Sequence, residues 1–244
     1  MGDDNRRDLT DAERQSVSYA FRHPRGRYVA DRASQLSGVP KSTVYDWRRK
    51  RVFVPDFNEA SPVAWSFRDL VLLRLMAWLR QGGMPRPTAA DKVRSVKDQP
   101  SNGVDVRLIH ATKTDVVLES ADNRPVHDDR ENLLPSSDFY GLLGTFDLHE
   151  PIDELRRAGD RSIWAPDLVT PSAHSFISPW VMAGDPCIDR TRIPTSSLYA
   201  LRTERSLPTL AILKLYPDLT PEAVDDAIEL ESRLNADGIA RTAA

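Results

Sequence analysis

The most regular hydrophobic pattern lies at residues 67–80, where Phe67, Leu70, Val71, Leu73, Leu75, Met76, Trp78 and Leu79 are apolar. The spacing predicts a helix that stops at Gly82-Gly83, with Pro85 beyond. Arg74 interrupts the stretch and Arg80 bounds it, so it is too short and too charged to span a bilayer. Upstream, Thr10 with Glu13 has capping-box spacing and predicts a helix to about His23, broken by Pro24 and Gly26. Residues 28–36 read as a second short helix, Ser37-Gly38-Val39 as a tight turn, and residues 40–50 as a third helix opened by Pro40. Val52-Phe53-Val54-Pro55 reads as short and β-like, residues 56–62 as a loop, and residues 88–98 as a further short helix.

Beyond the turn cluster Pro100-Ser101-Asn102-Gly103, residues 104–109 and 115–119 read as two strands that could form a hairpin. Residues 121–135 read as a polar, acidic loop, and 152–158 as a short helix. Residues 139–146 are apolar but contain Gly141 and Gly144, which leaves their type open. Residues 163–180 carry Pro166, Pro171 and Pro179 and should be extended and irregular. The pattern then turns helical again at 195–205, 208–215 and 221–234. Thr220 can cap the last of these, with Ala223, Val224, Ala227, Ile228 and Leu230 as its buried stripe. The small polar tail from Asn235 should fray.

Charge adds an asymmetry that the net value of −3 hides. Residues 1–98 hold 19 basic and 12 acidic side chains, a balance of +7, and residues 99–244 hold 14 and 24, a balance of −10. Residues 22–51 alone hold nine basic residues and two acids, Asp31 and Asp46. Such a basic block suits an anionic partner, and a solvated charged face is the plain alternative. The single cysteine, Cys187, excludes an intrachain disulfide and fits a reducing compartment. The acidic, polar start does not read as a secretory signal, so a cytoplasmic protein is expected.

The run Tyr28-Val29-Ala30-Asp31-Arg32-Ala33-Ser34-Gln35-Leu36-Ser37-Gly38-Val39-Pro40-Lys41-Ser42-Thr43-Val44-Tyr45-Asp46-Trp47 has helix-turn-helix chemistry. Small Ala33 permits a close helix crossing, Gly38 can take positive φ at the turn, and Val39 and Val44 point inward. The second helix would offer Lys41, Ser42, Thr43, Tyr45 and Asp46 to a groove, and Arg48, Arg49, Lys50 and Arg51 to phosphates. With Val52–Pro55 as a wing and the following helix behind it, residues 27–84 resemble the winged helix-turn-helix of MerR-type regulators. Such regulators usually continue into a long dimerising helix, which Gly82, Gly83, Pro85 and Pro87 forbid here.

A second motif is Gly184-Asp185-Pro186-Cys187-Ile188-Asp189-Arg190-Thr191-Arg192-Ile193-Pro194, followed by Tyr216-Pro217-Asp218-Leu219-Thr220. Residues 176–234 resemble a small bacterial domain family known only by a number, with Arg190 where that family usually has Gly. The resemblance implies a compact helix-turn-helix-like domain of the kind found in VapB-like antitoxins of PIN-domain ribonuclease toxins. A MerR-like head joined to such a domain is similar to one branch of those antitoxins.

No nucleophile, phosphate loop or metal spacing stands out among Cys187 and the five histidines, so no enzyme, no metal and no cofactor are expected. Thr191 and Arg192 read as residues that fix a bend. The expectation is therefore an antitoxin that binds its own operator DNA, masks a PIN-domain ribonuclease and forms a homodimer, seamed through residues 221–234 or the middle strands. The candidate toxin contacts are Arg156, Arg157, Arg161 and Trp164, or the tail through Arg233 and Arg241. A stand-alone transcriptional regulator and a protein-binding adaptor are the alternatives. The expected fold is mainly α with a small β element. A winged helix-turn-helix would span 1–98, a mixed β and irregular link 99–175, a tri-helical domain 176–234 and a flexible tail 235–244.

Overall fold

The computed structural model describes residues 10–98, 109–111, 116–118, 142–148 and 163–240. Its described elements are α1 (Asp11–Arg22), α2 (Ala30–Ser37), α3 (Lys41–Arg49), α4 (Phe67–Gln81), α5 (Arg86–Asp98), β1 (Ile109–Ala111), β2 (Val116–Leu118), β3 (Phe146–Leu148), β4 (Ile163–Ala165), β5 (Ser175–Phe176), β6 (Cys187–Ile188), α6 (Thr195–Thr203), α7 (Thr209–Leu215) and α8 (Pro221–Ala240). The fold is mainly helical, with three separate antiparallel pairs, β1–β2, β3–β4 and β5–β6. It falls in the α+β class, as the sequence pattern predicts.

The central element is α4. Ser66 and Asp69 form a reciprocal capping box that fixes its start. Phe67, Leu70, Val71, Leu72, Leu73, Leu75, Met76, Ala77 and Leu79 are each no more than 2% exposed. A helix apolar on all sides must be enclosed, and α1, α2 and α5 pack against this one. Each large side chain so buried contributes about 1.5–3 kcal/mol. Arg74 is the exception inside α4. It is fully buried, and its guanidinium donates to the carbonyls of Leu36, Leu142, Leu143, Gly144 and Pro166 at 2.6–3.3 Å. Burial pushes its pKa down to about 9, with Asp167 opposing, so the group stays cationic at neutral pH.

Two cores organise the described residues. The larger runs from Val17 of α1 through α4 and α5, takes in Leu142, Leu143, Ala165, Leu168, Val169 and Ile177, and ends at Leu230 and Leu234 of α8. The smaller joins Ile188, Leu198, Ile212, Leu219, Ala223, Val224 and Ala227. One helix, α8, therefore contributes to both. Its apolar stripe faces inward, with Val224 and Ala227 at 0% exposure and Leu234 at 1%. That stripe is occupied within the chain.

Two local expectations are corrected. Val52–Pro55 forms no strand: the N–H groups of Val52 and Phe53 both donate to the Trp47 carbonyl, which folds the segment under α3 with Phe53 buried. The extended pairing lies later, at Phe57↔Ala64 and Tyr28↔Trp65. Residues 235–240 continue α8 rather than fray. Asn235 accepts from Gln35 at 3.0 Å and donates to the Glu231 carbonyl at 2.8 Å, so the helix is held past the point where composition suggested a stop. The expected helix at 152–158 and the strand residues 104–108 lie outside the described residues.

Candidate nucleic-acid interface

The site is built on the corner between α2 and α3. The N–H of Gly38 donates to the Ser34 carbonyl at 2.9 Å, and Gly38 takes φ 78°, a left-handed turn that glycine allows without a steric cost. Pro40 then precedes α3. Ala33, Leu36 and Val39 are fully buried, and Val44 and Trp47 are 1% exposed, so the two helices close on a continuous apolar seam. The remaining face of α3 is polar. Lys41, Ser42, Tyr45, Arg49 and Lys50 are exposed, as is Arg51 beyond the helix. Lys41, Tyr45, Arg48 and Arg49 follow helical spacing and line one stripe.

Two expected members stand differently. Thr43 is buried at 7% exposure, on the seam side with Val44 and Trp47, so it does not reach a groove. Arg48 is half-buried and donates to Asn58 Oδ1 at 2.9 Å, which ties α3 to the segment bridged at Phe57 and Ala64. Tyr45 meets Trp65 edge-on, with ring centroids 6.3 Å apart.

The acids near this face are paired. Asp46 holds Lys50 at 2.8 Å and Arg49 at 2.9 Å, and the Lys50 contact chiefly keeps its carboxyl below the usual range. Asp31 holds Lys41 at 2.5 Å, which keeps that ammonium above its usual value. These pairs are exposed and individually worth no more than about 1 kcal/mol, so phosphates can displace them.

Sequence reasoning missed the support behind α2. Arg32 donates to both carboxylate oxygens of Glu231 at 2.7 and 3.0 Å and to Asp185 at 2.7 Å. Thr195 donates to Glu231 at 2.5 Å, and Ser196 to Asp185 at 3.0 Å. Burial disfavours the charge on Arg32, yet Glu231 and Asp185 outweigh it and hold its pKa above the ordinary value. Beside this junction Tyr28 donates from its hydroxyl to the Gly184 carbonyl at 3.0 Å. Gly184 has φ 92°, and a Cβ there would lie 2.1 Å from the Tyr28 oxygen. A cleft of about 450 Å³ opens at the same junction, lined by Arg27, Asp31, Gln35, Met182 and Tyr199 among others. The signal was present in the sequence: Glu231 falls on the apolar stripe of α8, where a carboxylate requires a buried partner.

The other candidates are dispersed. Arg156, Arg157, Arg161 and Arg241 lie outside the described residues. Trp164 is half-buried, and the Arg233 guanidinium lies 3.6 Å from its ring centroid. Cys187 is buried and donates to the Asp185 carbonyl at 3.3 Å; burial pushes its thiol up to about 11, away from nucleophilic chemistry. Thr191 fixes the bend as expected, donating to the Ile188 carbonyl at 2.8 Å and accepting from Ile193 at 3.1 Å. Arg190 adopts φ 58°, in the left-handed region. Among the described residues no group of three or more His, Cys, Asp or Glu could hold a metal, and no helix is long and apolar enough to cross a membrane.

The chain thus combines a helix-turn-helix corner with a small helical C-terminal unit. Residues 177–230, within that unit, match the family described as Protein of unknown function (DUF433). No curated protein and no solved structure matches the chain.

Proposed function

We propose that this protein is a DNA-binding antitoxin: it reads its own operator through α3 and masks a PIN-domain ribonuclease by direct contact. The observation that carries the DNA-binding part is the polar, basic face of α3 left exposed beside the Gly38 turn. A helix at such a corner is suited to a major groove, with Tyr45 and Ser42 at base edges and Lys41, Arg49, Lys50 and Arg51 at phosphates. The MerR-like head supports the same reading. So does the basic N-terminal balance.

The antitoxin part rests on the resemblance of the C-terminal motif to VapB-like proteins. Two features favour a protein partner for that unit. Leu210 and Leu215 on α7 are 75% and 57% exposed, apolar side chains that a protein partner would cover. Exposed Arg205 and Lys214 accompany them, a charge suited to a carboxylate-rich nuclease site. The protein would act in the cytoplasm, as a homodimer on a two-fold operator.

Co-expression with the products of the flanking reading frames tests this. The eluate is assayed for ribonuclease activity before and after this chain is stripped away, and for binding to the duplex upstream of its own frame. A silent partner that becomes a nuclease on stripping is the expected result. Operator binding with no partner favours a stand-alone regulator instead. If neither partner nor DNA is bound, both readings fail.

A further inference from the structure

Residues 24–28 form a strap between α1 and α2, and its backbone is pinned on both sides. Phe67 N–H donates to the Arg25 carbonyl at 2.7 Å, and Arg27 N–H donates to the Ala183 carbonyl at 2.8 Å. Tyr28 and Trp65 exchange two backbone bonds at 2.9 and 2.8 Å. Arg25 and Arg27 are both exposed on this fixed strap.

The strap adjoins the α3 surface. The Arg27 guanidinium carbon lies 5.2 Å over the Phe57 ring, in the segment whose Asn58 holds Arg48. Trp65, paired with Tyr28, meets Tyr45 of α3. The neighbouring carboxylates are committed elsewhere: Asp31 to Lys41, Asp46 to Arg49 and Lys50, Asp56 to Arg68, and Asp185 to Arg32. Among the described residues, Arg25 and Arg27 have no carboxylate partner. They are thus two unneutralised cations on a pinned strap beside α3 and the Phe57–Ala64 segment.

We propose that Arg25 and Arg27 bind DNA backbone phosphates, a second phosphate contact beside the recognition helix; this rests on the DNA-binding reading of α3. A guanidinium presents its donors in the plane of the group, so stacking on Phe57 leaves its edges open for a phosphate. The pinned backbone lowers the ordering cost of that contact. Phosphate contacts carry no sequence information, so the strap contributes affinity and register rather than base preference.

The test uses the full chain with two duplexes, the fragment upstream of its own frame and one of mixed sequence. Arg25→Gln with Arg27→Gln should weaken binding to both by a similar factor, about 10- to 30-fold near physiological salt. The slope of log K against log[salt] should flatten by about 1.8, and by about 0.9 for Arg25→Gln alone. Lysine at both positions should restore most of the slope. The single variant keeps the test readable should the double variant unfold. The proposal is overturned if slope and affinity stay unchanged while Arg49→Ala with Lys50→Ala still weakens binding. It is also overturned if only the upstream duplex is affected, since that marks base contact. Wild-type protein that binds neither duplex overturns the DNA-binding reading itself, and the strap proposal with it.

Discussion

On α3, Asp46 holds Arg49 and Lys50 at 2.9 and 2.8 Å, with those basic side chains 78% and 48% exposed. On α2, a few residues away, Arg32 holds Glu231 and Asp185 at 2.7 Å each, with Arg32 at 13% and Glu231 at 3% exposure. The bond lengths hardly differ. The surroundings do, and they decide what each cluster can be used for. In water the α3 pairs are screened and cheap to exchange, which suits side chains that must release an acid to take a phosphate. At the α2–α8 junction an unpaired charge would be stranded out of water, so the contact is effectively permanent. The buried cluster holds the helix-turn-helix corner on the C-terminal unit, and the exposed one remains available to a partner.

Breaking the buried side should have the largest effect. Glu231→Ala removes two of the three carboxylate bonds on buried Arg32, leaving only Asp185, and should cost up to about 3–5 kcal/mol in urea denaturation. Arg32→Met combined with Glu231→Leu should cost far less than that single change, because the one carboxylate left without its cation, Asp185, is 28% exposed and keeps the Ser196 hydroxyl. Equal losses would mean that the junction is wetter than its exposure indicates. Next comes Gly184→Ala, whose added methyl collides with Tyr28. It should destabilise by about 1–3 kcal/mol in the same assay.

Cys187 reports on the same interior by pH. Its folded value of about 11 lies above the free-thiol value near 8.5, so the folded state holds the proton more tightly. The stabilisation is complete below about pH 8.5 and is lost as pH rises toward 11, roughly 1 kcal/mol by pH 9.5. Replacing Cys187 with Ala should abolish that alkaline loss in denaturation curves. At pH 8 the thiol should react with a thiol reagent only as fast as the protein opens. The smallest effect on stability belongs to the exposed side. Arg49→Ala with Lys50→Ala should stay within about 0.5 kcal/mol of wild type while still flattening the salt dependence of DNA binding.

The same contrast explains what the sequence could and could not reveal. Local rules reached the α2–α3 corner, because Ala33, Gly38 and Pro40 act within a few residues of themselves. The Thr220 cap was legible too: its hydroxyl accepts from Ala223 at 3.2 Å. Long-range choices were not legible. Nothing near Arg32 names Glu231, 199 residues away. Arg74 could be flagged as a charge in an apolar helix, but not assigned five carbonyls from three separate segments. Thr43 was misplaced because the polar pattern of α3 does not say which threonine turns toward α2. Val52–Pro55 was misread because its apolar run reads as a strand until the Trp47 carbonyl claims the N–H groups of Val52 and Phe53. The α8 terminus was misread because its hold comes from Gln35, on another helix.

The most direct test of the central claim is the salt dependence of wild-type binding to the duplex upstream of its own frame, set beside Tyr45→Ala. Log K should fall linearly with log[salt], at about −0.9 for each phosphate contacted. Tyr45→Ala should leave that slope in place and narrow the preference for the upstream duplex over a mixed-sequence one. Absent or salt-insensitive binding would contradict a DNA-reading role for α3 and leave the corner as a protein-contact element.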